Sequence, residues 1–485
     1  MRIFILRNSR LTLIPFLLFP VLLLCIFITP LKANTPVYPA RDSARQIVIH
    51  SIRISGNKQT KRSVILRELS FHESDTLPVS KFVQQIRAGR ENIFNTSLFN
   101  FVTVAVDTVE NAPDLRDVVI HVVERWYVWP WPFFEISDRN FNTWFETTDL
   151  SRLTYGIDLT VLNLRGRNET LKFPVHLGFN QKYGFSYRLP YLDRHKIAGI
   201  AFGAEYNRNH EVIAATANNK TVYYKDPVTY PQQNFYGFME FLLRPSFYTH
   251  HTLRICYNAW LFSDSLLKIP EYSTGKSNHL NYFSLYYQYK NDHRDVQFYP
   301  LKGYYFDVEI DQNGFPSSDV NEFYCKTNFR KYMQINWHSY FASGLTLKVS
   351  LTPQPPYFMQ RGLGYGREYV RGYEYYVIDG RDFILWKNNI KFALIPDRNL
   401  DIGFIRSSKF NKIPFALYCN FFCDAGYVIY DGEFPDPANN LRNSFLFGYG
   451  YGLDLTTYYD IVIRLEATMN LKDQLGVYLH FTAPI

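Results

Sequence analysis

The sequence predicts an all-β transmembrane barrel of about 16 antiparallel strands, preceded by one small α+β domain. Three observations carry this prediction. Short segments from Trp131 to Ile485 alternate apolar and polar residues. In 345–352, Leu345, Leu347, Val349 and Leu351 share one face, and Thr346, Lys348, Ser350 and Thr352 the other. Side chains of a strand alternate with period 2, so one face can meet lipid and the other a wet lumen. Aromatic residues make up 18% of the chain, with 38 Tyr and 41 Phe, which suits girdles at two membrane interfaces. Beyond the first 33 residues no long apolar run offers a spanning helix, and a closed barrel is the other way to satisfy the backbone in lipid.

The amino terminus reads as a secretory signal over residues 1–33. Arg2, Arg7 and Arg10 precede an apolar stretch at 11–29, and Ala33 or Ala40 offers a cleavage point. A retained anchor is the alternative. Cys25 lacks the small preceding residue that lipidation requires. The formal charge is +8, with four of the cations in this segment and the remainder scattered; there is no basic tract for nucleic acid.

No cofactor or metal is expected. Cys419 and Cys423 would lie roughly 13 Å apart on one strand, too far for a shared zinc or a disulfide. They read as small residues facing lipid. His250 and His251 point to opposite sides of a strand, and Asp292, His293 and Asp295 read as a charged strand-end loop. Gly-x-Ser-x-Gly is absent, so an enzyme is not expected.

Residues 47–125 differ in texture. A strand at 47–54 meets a turn at Gly56-Asn57, and a helical pattern follows through Val64, Ile65 and Leu69. Ser80 is placed to cap a second helix with Phe82, Val83, Ile86 and Ile93 on its apolar face. Strands at 102–106 and 118–123 close the unit. The text Ile54-Ser-Gly-Asn57, Ile65-Leu-Arg-Glu68, Asn95-Thr-Ser-Leu-Phe99, Val102 and Val123-Glu124-Arg125 resembles a POTRA domain, a periplasmic module of outer-membrane assembly barrels. Gly56, Asn57, Thr96, Leu98 and Phe99 carry the motif. The resemblance implies that extended clients add to exposed strand edges. A domain that spaces or plugs the barrel is the plainer reading.

The barrel region, 131–485, is similar to the bacterial surface antigen barrel of the BamA/TamA-like outer-membrane assembly superfamily. Asn163-Leu-Arg-Gly-Arg-Asn168, Phe185-Ser-Tyr-Arg-Leu-Pro190, and Asp292-His-Arg-Asp295 with Pro300 and Gly303 carry the likeness. So does Val370-Arg-Gly-Tyr373, in a long insertion at 354–381 between strands eleven and twelve. The resemblance implies that this loop enters the lumen and that its Arg meets the wall motif Phe422-Cys-Asp-Ala-Gly426 on the thirteenth strand. Parity points Phe422, Asp424 and Gly426 inward. Arg371 can hold Asp424 through a planar fork, Gly372 allows the turn, and Gly426 leaves room. Where the family often has a Glu on the twelfth strand, this chain has Asn389, which leaves a weaker lock or one wired differently.

The last strand, with Gln474, Gly476, Leu479 and Phe481, fits the β-signal of assembled barrels, without its terminal Phe. Trp126, Trp129 and Trp131 mark the junction at the membrane surface. The first strand is read as short and flanked by Pro130 and Pro132, so that its pairing with the last is weak. The function expected is outer-membrane protein assembly or translocation, with a periplasmic POTRA domain and release through the seam. The partners expected are unfolded outer-membrane or surface protein clients, lipid and accessory lipoproteins. The alternative is a passive pore or a structural barrel.

Overall fold

The computed structural model describes residues 45–136, 153–269, 272–273, 277–315, 318, 320–352, 356–407, 409–431 and 438–481. The signal segment 1–33 lies outside them.

The first unit runs β1 (Gln46–Ser55), a helix Arg62–Leu66, β2 (Thr76–Pro78), a helix Val79–Asn95, β3 (Phe99–Val109) and β4 (Ala112–Glu124). Its sheet has the order β2-β1-β4-β3, with β1 and β4 parallel. Ile49, Ile52, Val64, Ile65, Phe82, Ile93, Phe99, Val118 and Ile120 form the core between helices and sheet. Three readings need correction. The short strand β2 was not expected; it extends the sheet beyond β1. Ser80 lies within the long helix, whose cap position is Pro78, and no side chain caps it. Val83 is exposed, because one step of about 100° turns it away from the buried Phe82.

The rest of the chain forms β5 (Val128–Ile136), β6 (Leu153–Leu162), β7 (Thr170–Gly178), β8 (Gln181–Leu189), β9 (Ala198–Asn209), β10 (Glu211–Ala217), β11 (Lys220–Lys225), β12 (Gln232–Leu243), β13 (Thr249–Phe262), β14 (His279–Asp292), β15 (Gly303–Gly314), β16 (Asn321–Gln334), β17 (Ser339–Ser350), β18 (Asp382–Asp401), β19 (Lys412–Ile429), β20 (Phe445–Thr456), β21 (Val462–Asn470) and β22 (Leu475–His480). Sixteen of these make one sheet running from β5 to β22, with β10 and β11 set apart as a hairpin. That hairpin was not foreseen. It packs on the long loop through the hydroxyls of Thr216 and Tyr357 at 2.8 Å, and Asn219 O accepts from Val377 N at 2.9 Å.

Alternation sets the two faces. On β19, Phe421 is 52% exposed while Phe422 is 5% exposed. Thr346, Lys348 and Ser350 of β17 are buried, and Val349 and Leu351 face outward. Cys419 and Cys423 share the outward parity with Phe421, and both are free thiols. Near one end of the sheet, Trp129 of β5 stands edge-on to Tyr459, in the turn before β21, at 4.8 Å.

The first strand also needs correction. It begins at Val128, so Pro130 and Pro132 lie within it, opposite Leu159 and Ile157 of β6. The register with β6 runs unbroken through both prolines. The donors they lack therefore belong to the other edge, the one facing the seam.

Candidate functional site: the luminal loop and the seam

Leu363, Val370, Tyr373 and Ile378 of the long loop are buried against Phe383, Leu385, Val428 and Leu446 of the barrel wall. This apolar contact brings the loop into the lumen and carries Arg371 with it. Arg371 is 0% exposed. Its Nε and Nη2 donate to the two oxygens of Asp424 at 2.7 and 2.6 Å, and its backbone N donates to the same carboxylate at 3.2 Å. The guanidinium lies 3.9 Å from the centre of the Phe422 ring. A buried cation is tolerable only when its donors are satisfied, and this one has partners on three strands.

The remaining nitrogen, Nη1, donates to Asn389 Oδ1 at 2.9 Å and to Glu466 Oε1 at 3.2 Å. The carboxylate absent from β18 is thus replaced by one on β21. Glu466 also lies 3.5 Å from Arg464, whose Nη2 donates to Asp454 at 2.6 Å. The part of Glu466 in this network is not foreseen from the sequence. Its alternation with Arg464, Thr468 and Asn470 was the available signal, while its pairing depends on the loop.

Close approach requires glycine at two wall positions. A Cβ on Gly426 would lie 2.6 Å from Val370 Cγ2, and one on Gly448 would lie 1.7 Å from Arg371 O. Gly448 was not foreseen. Gly372 itself has φ +92°, which favours glycine. Its carbonyl accepts from Asn470 Nδ2 at 2.7 Å.

The motif residues of the last strand divide by face. Leu479 and Phe481 point outward and are exposed, while Gln474 accepts from Tyr376 OH at 2.9 Å. Gly476 lies under the Tyr478 ring. Among the described residues no hydrogen-bonded register joins β22 to β5.

A family model for the Omp85 superfamily domain matches residues 163–459, and one for POTRA, a surface antigen variable number repeat, matches residues 47–125. The chain belongs to the Omp85 superfamily. Among solved structures, it is similar to CdiB from Escherichia coli at 12% identity, covering 89% of this chain and 75% of that one, with a TM-score of 0.50. BamA from Haemophilus ducreyi lacking POTRA domains 1-3 is 15% identical over 90% of this chain and 83% of that one, with a TM-score of 0.48. CdiB from Acinetobacter baumannii is 14% identical over 90% and 73%, with a TM-score of 0.45. No curated protein matches in sequence.

In this Omp85 protein the POTRA motif residues are structural. Gly56 has φ +88°, and a Cβ there would strike Val122 O. Asn57 Nδ2 donates to Thr60 O at 3.0 Å, Thr96 ends the long helix, and Leu98 and Phe99 are core. Other motif residues seat the domain on the barrel. Glu68, fully buried, accepts from Arg244 at 2.7 and 2.8 Å in the turn between β12 and β13. Arg125 holds Asp460 at 2.7 and 2.8 Å in the turn before β21. Asn95 Nδ2 donates to Asp295 O at 3.0 Å. The Tyr127 hydroxyl meets Thr60 at 3.1 Å at the joint; burial there pushes its pKa up to about 12, so it stays protonated as a donor. Arg294 holds Asp292 at 2.7 Å, which commits that carboxylate to an ion pair.

Proposed function

We propose that this Omp85 protein is an outer-membrane assembly or translocation factor that receives unfolded clients at its POTRA domain and releases them through the seam between β5 and β22. The carrying observation is that seam: the two end strands share no described register, and β5 lacks two donors on that edge. The POTRA domain would lie in the periplasm, where the outer edge of β3, which no strand pairs among the described residues, offers a strand for addition. Lipid beside the seam would take up the client as its backbone pairs, so client folding supplies the driving force. Accessory lipoproteins would assist at the periplasmic face. No covalent chemistry is required.

A passive pore fits less well. The loop anchored by Arg371 occupies the lumen, and the POTRA domain is seated on turns around the periplasmic mouth. Two experiments test the proposal. A cysteine pair bridging 133–135 to 475–479 should block activity and leave a folded barrel; undiminished activity refutes release through the seam. Depletion in the native bacterium should remove other barrels or a few surface proteins from the outer membrane. An unchanged outer-membrane proteome refutes an assembly role.

A further inference from the structure

The strand β22 is six residues long and pairs with β21 on one edge only among the described residues. Its outward residues Leu475, Val477 and Leu479 are exposed on the lipid side. So short a strand with one ladder gains little from hydrogen bonding alone. Its luminal side meets Glu466 of β21 at His480, and beyond that three tyrosines from one stretch of the loop.

Tyr376 OH donates to Gln474 Oε1 at 2.9 Å. The ring of Tyr375 lies 5.3 Å from that of Tyr478. The ring of Tyr369 stacks on His480 at 6.0 Å. As the strand number rises through 474, 478 and 480, the loop number falls through 376, 375 and 369. The loop thus runs antiparallel along the inner face of β22. The turn between β21 and β22 is tied to the same stretch, since Asn470 Nδ2 reaches both Gly372 O at 2.7 Å and Gln474 Oε1 at 3.1 Å. Arg371 lies within this stretch and is bound to β18, β19 and β21, so the stretch has a fixed base.

We propose that Tyr369, Tyr375 and Tyr376 are positioning residues that clasp the last strand on its luminal face, so that the loop sets the closed position of the seam. Release of the clasp would free β22 while the Arg371–Asp424 pair stays intact. The inference rests on the seam reading only for what the opening serves; the clasp itself is measured without a client.

The test uses paired spin labels on the full-length protein in lipid bilayers, in a cysteine-free background. One pair replaces Phe134 of β5 and Val477 of β22, both exposed. A control pair replaces Phe173 of β7 and Phe185 of β8. Combined Tyr369→Leu, Tyr375→Ala and Tyr376→Phe should shift the seam distances to longer, broader values and leave the control unchanged. An unchanged seam distribution overturns the proposal. If the triple variant fails to reach the membrane, Tyr376→Phe alone removes one hydroxyl and is judged by the same two outcomes. A mobile seam in a protein whose depletion changes no outer-membrane protein would refute the proposed function and leave the clasp standing.

Discussion

Arg371 of the luminal loop and Glu466 of β21 meet at 3.2 Å, both fully buried. The same Glu466 lies 3.5 Å from Arg464 and 3.5 Å from His480 of the last strand. One carboxylate thus stands between the loop anchor and the seam strand. Removing a member of such a buried set leaves its partners charged and unpaired, which costs more than the pair contributed.

Arg371→Ala should therefore destabilise the folded barrel by about 3–5 kcal/mol, read as a lower urea midpoint in lipid vesicles. Arg371→Lys should recover only part of this, because an ammonium cannot make the planar two-point contact with Asp424. Export and signal removal should be normal. A wild-type midpoint for Arg371→Ala would remove the anchor from the account.

Gly448→Ala places a methyl group against Arg371 O. Forced overpacking of this kind costs about 1–3 kcal/mol. The expected readout is faster cleavage of the loop by an added protease in intact vesicles, with the barrel strands still protected. Equal protection of the loop in both proteins would contradict the close approach.

Glu68→Ala and Arg244→Ala should each loosen the POTRA domain from the barrel, since each leaves a buried charge without its partner. The double variant should be less affected than the sum of the two, by about 1–3 kcal/mol in a double-mutant cycle. Hydrogen exchange at the β12–β13 turn reports the loosening. Strict additivity would mean that the pair does not hold the joint.

Asp117 on β4 accepts hydrogen bonds from His50 at 2.9 Å and Ser51 at 2.8 Å and pairs with Arg53 at 2.9 Å. The His50 bond first, then the Ser51 bond, hold its carboxyl below the usual Asp range. A folded-state pKa below the unfolded one gives stability that is present above the unfolded value and lost as pH falls through the folded one. POTRA unfolding should thus become easier in acid, below about pH 4, and Asp117→Asn should flatten that dependence. Parallel pH profiles for the two proteins would exclude Asp117 as a source.

Much of the architecture is visible in the chain because it rests on local pattern. Alternation separates Phe421 from Phe422 and places Asp424 inward whatever lies across the lumen. The sixteen strands follow from the same rule. Local signals mislead where two contexts share one residue type: Ser80 looks like a cap but falls inside a helix that begins after Pro78, and Pro130 and Pro132 look like strand breakers but lie in a strand whose far edge needs no donors there.

The sequence by itself determined the sixteen strands of the barrel, their inward and outward faces and most of the POTRA core, because period 2 acts over a few residues; Arg371 and Asp424 stood out only through resemblance to the family, with parity adding that Asp424 points inward. Only the tertiary structure decided which carboxylate joins that pair, since Glu466 lies 95 residues from Arg371 and meets it when the sheet curls round the loop. The same curvature decided that Gly448 must be small, that Glu68 finds Arg244 across 176 residues, and that three loop tyrosines lie along β22. Periodicity names the face on which a side chain stands. Its partner is set by closure of the sheet and by what is packed inside it.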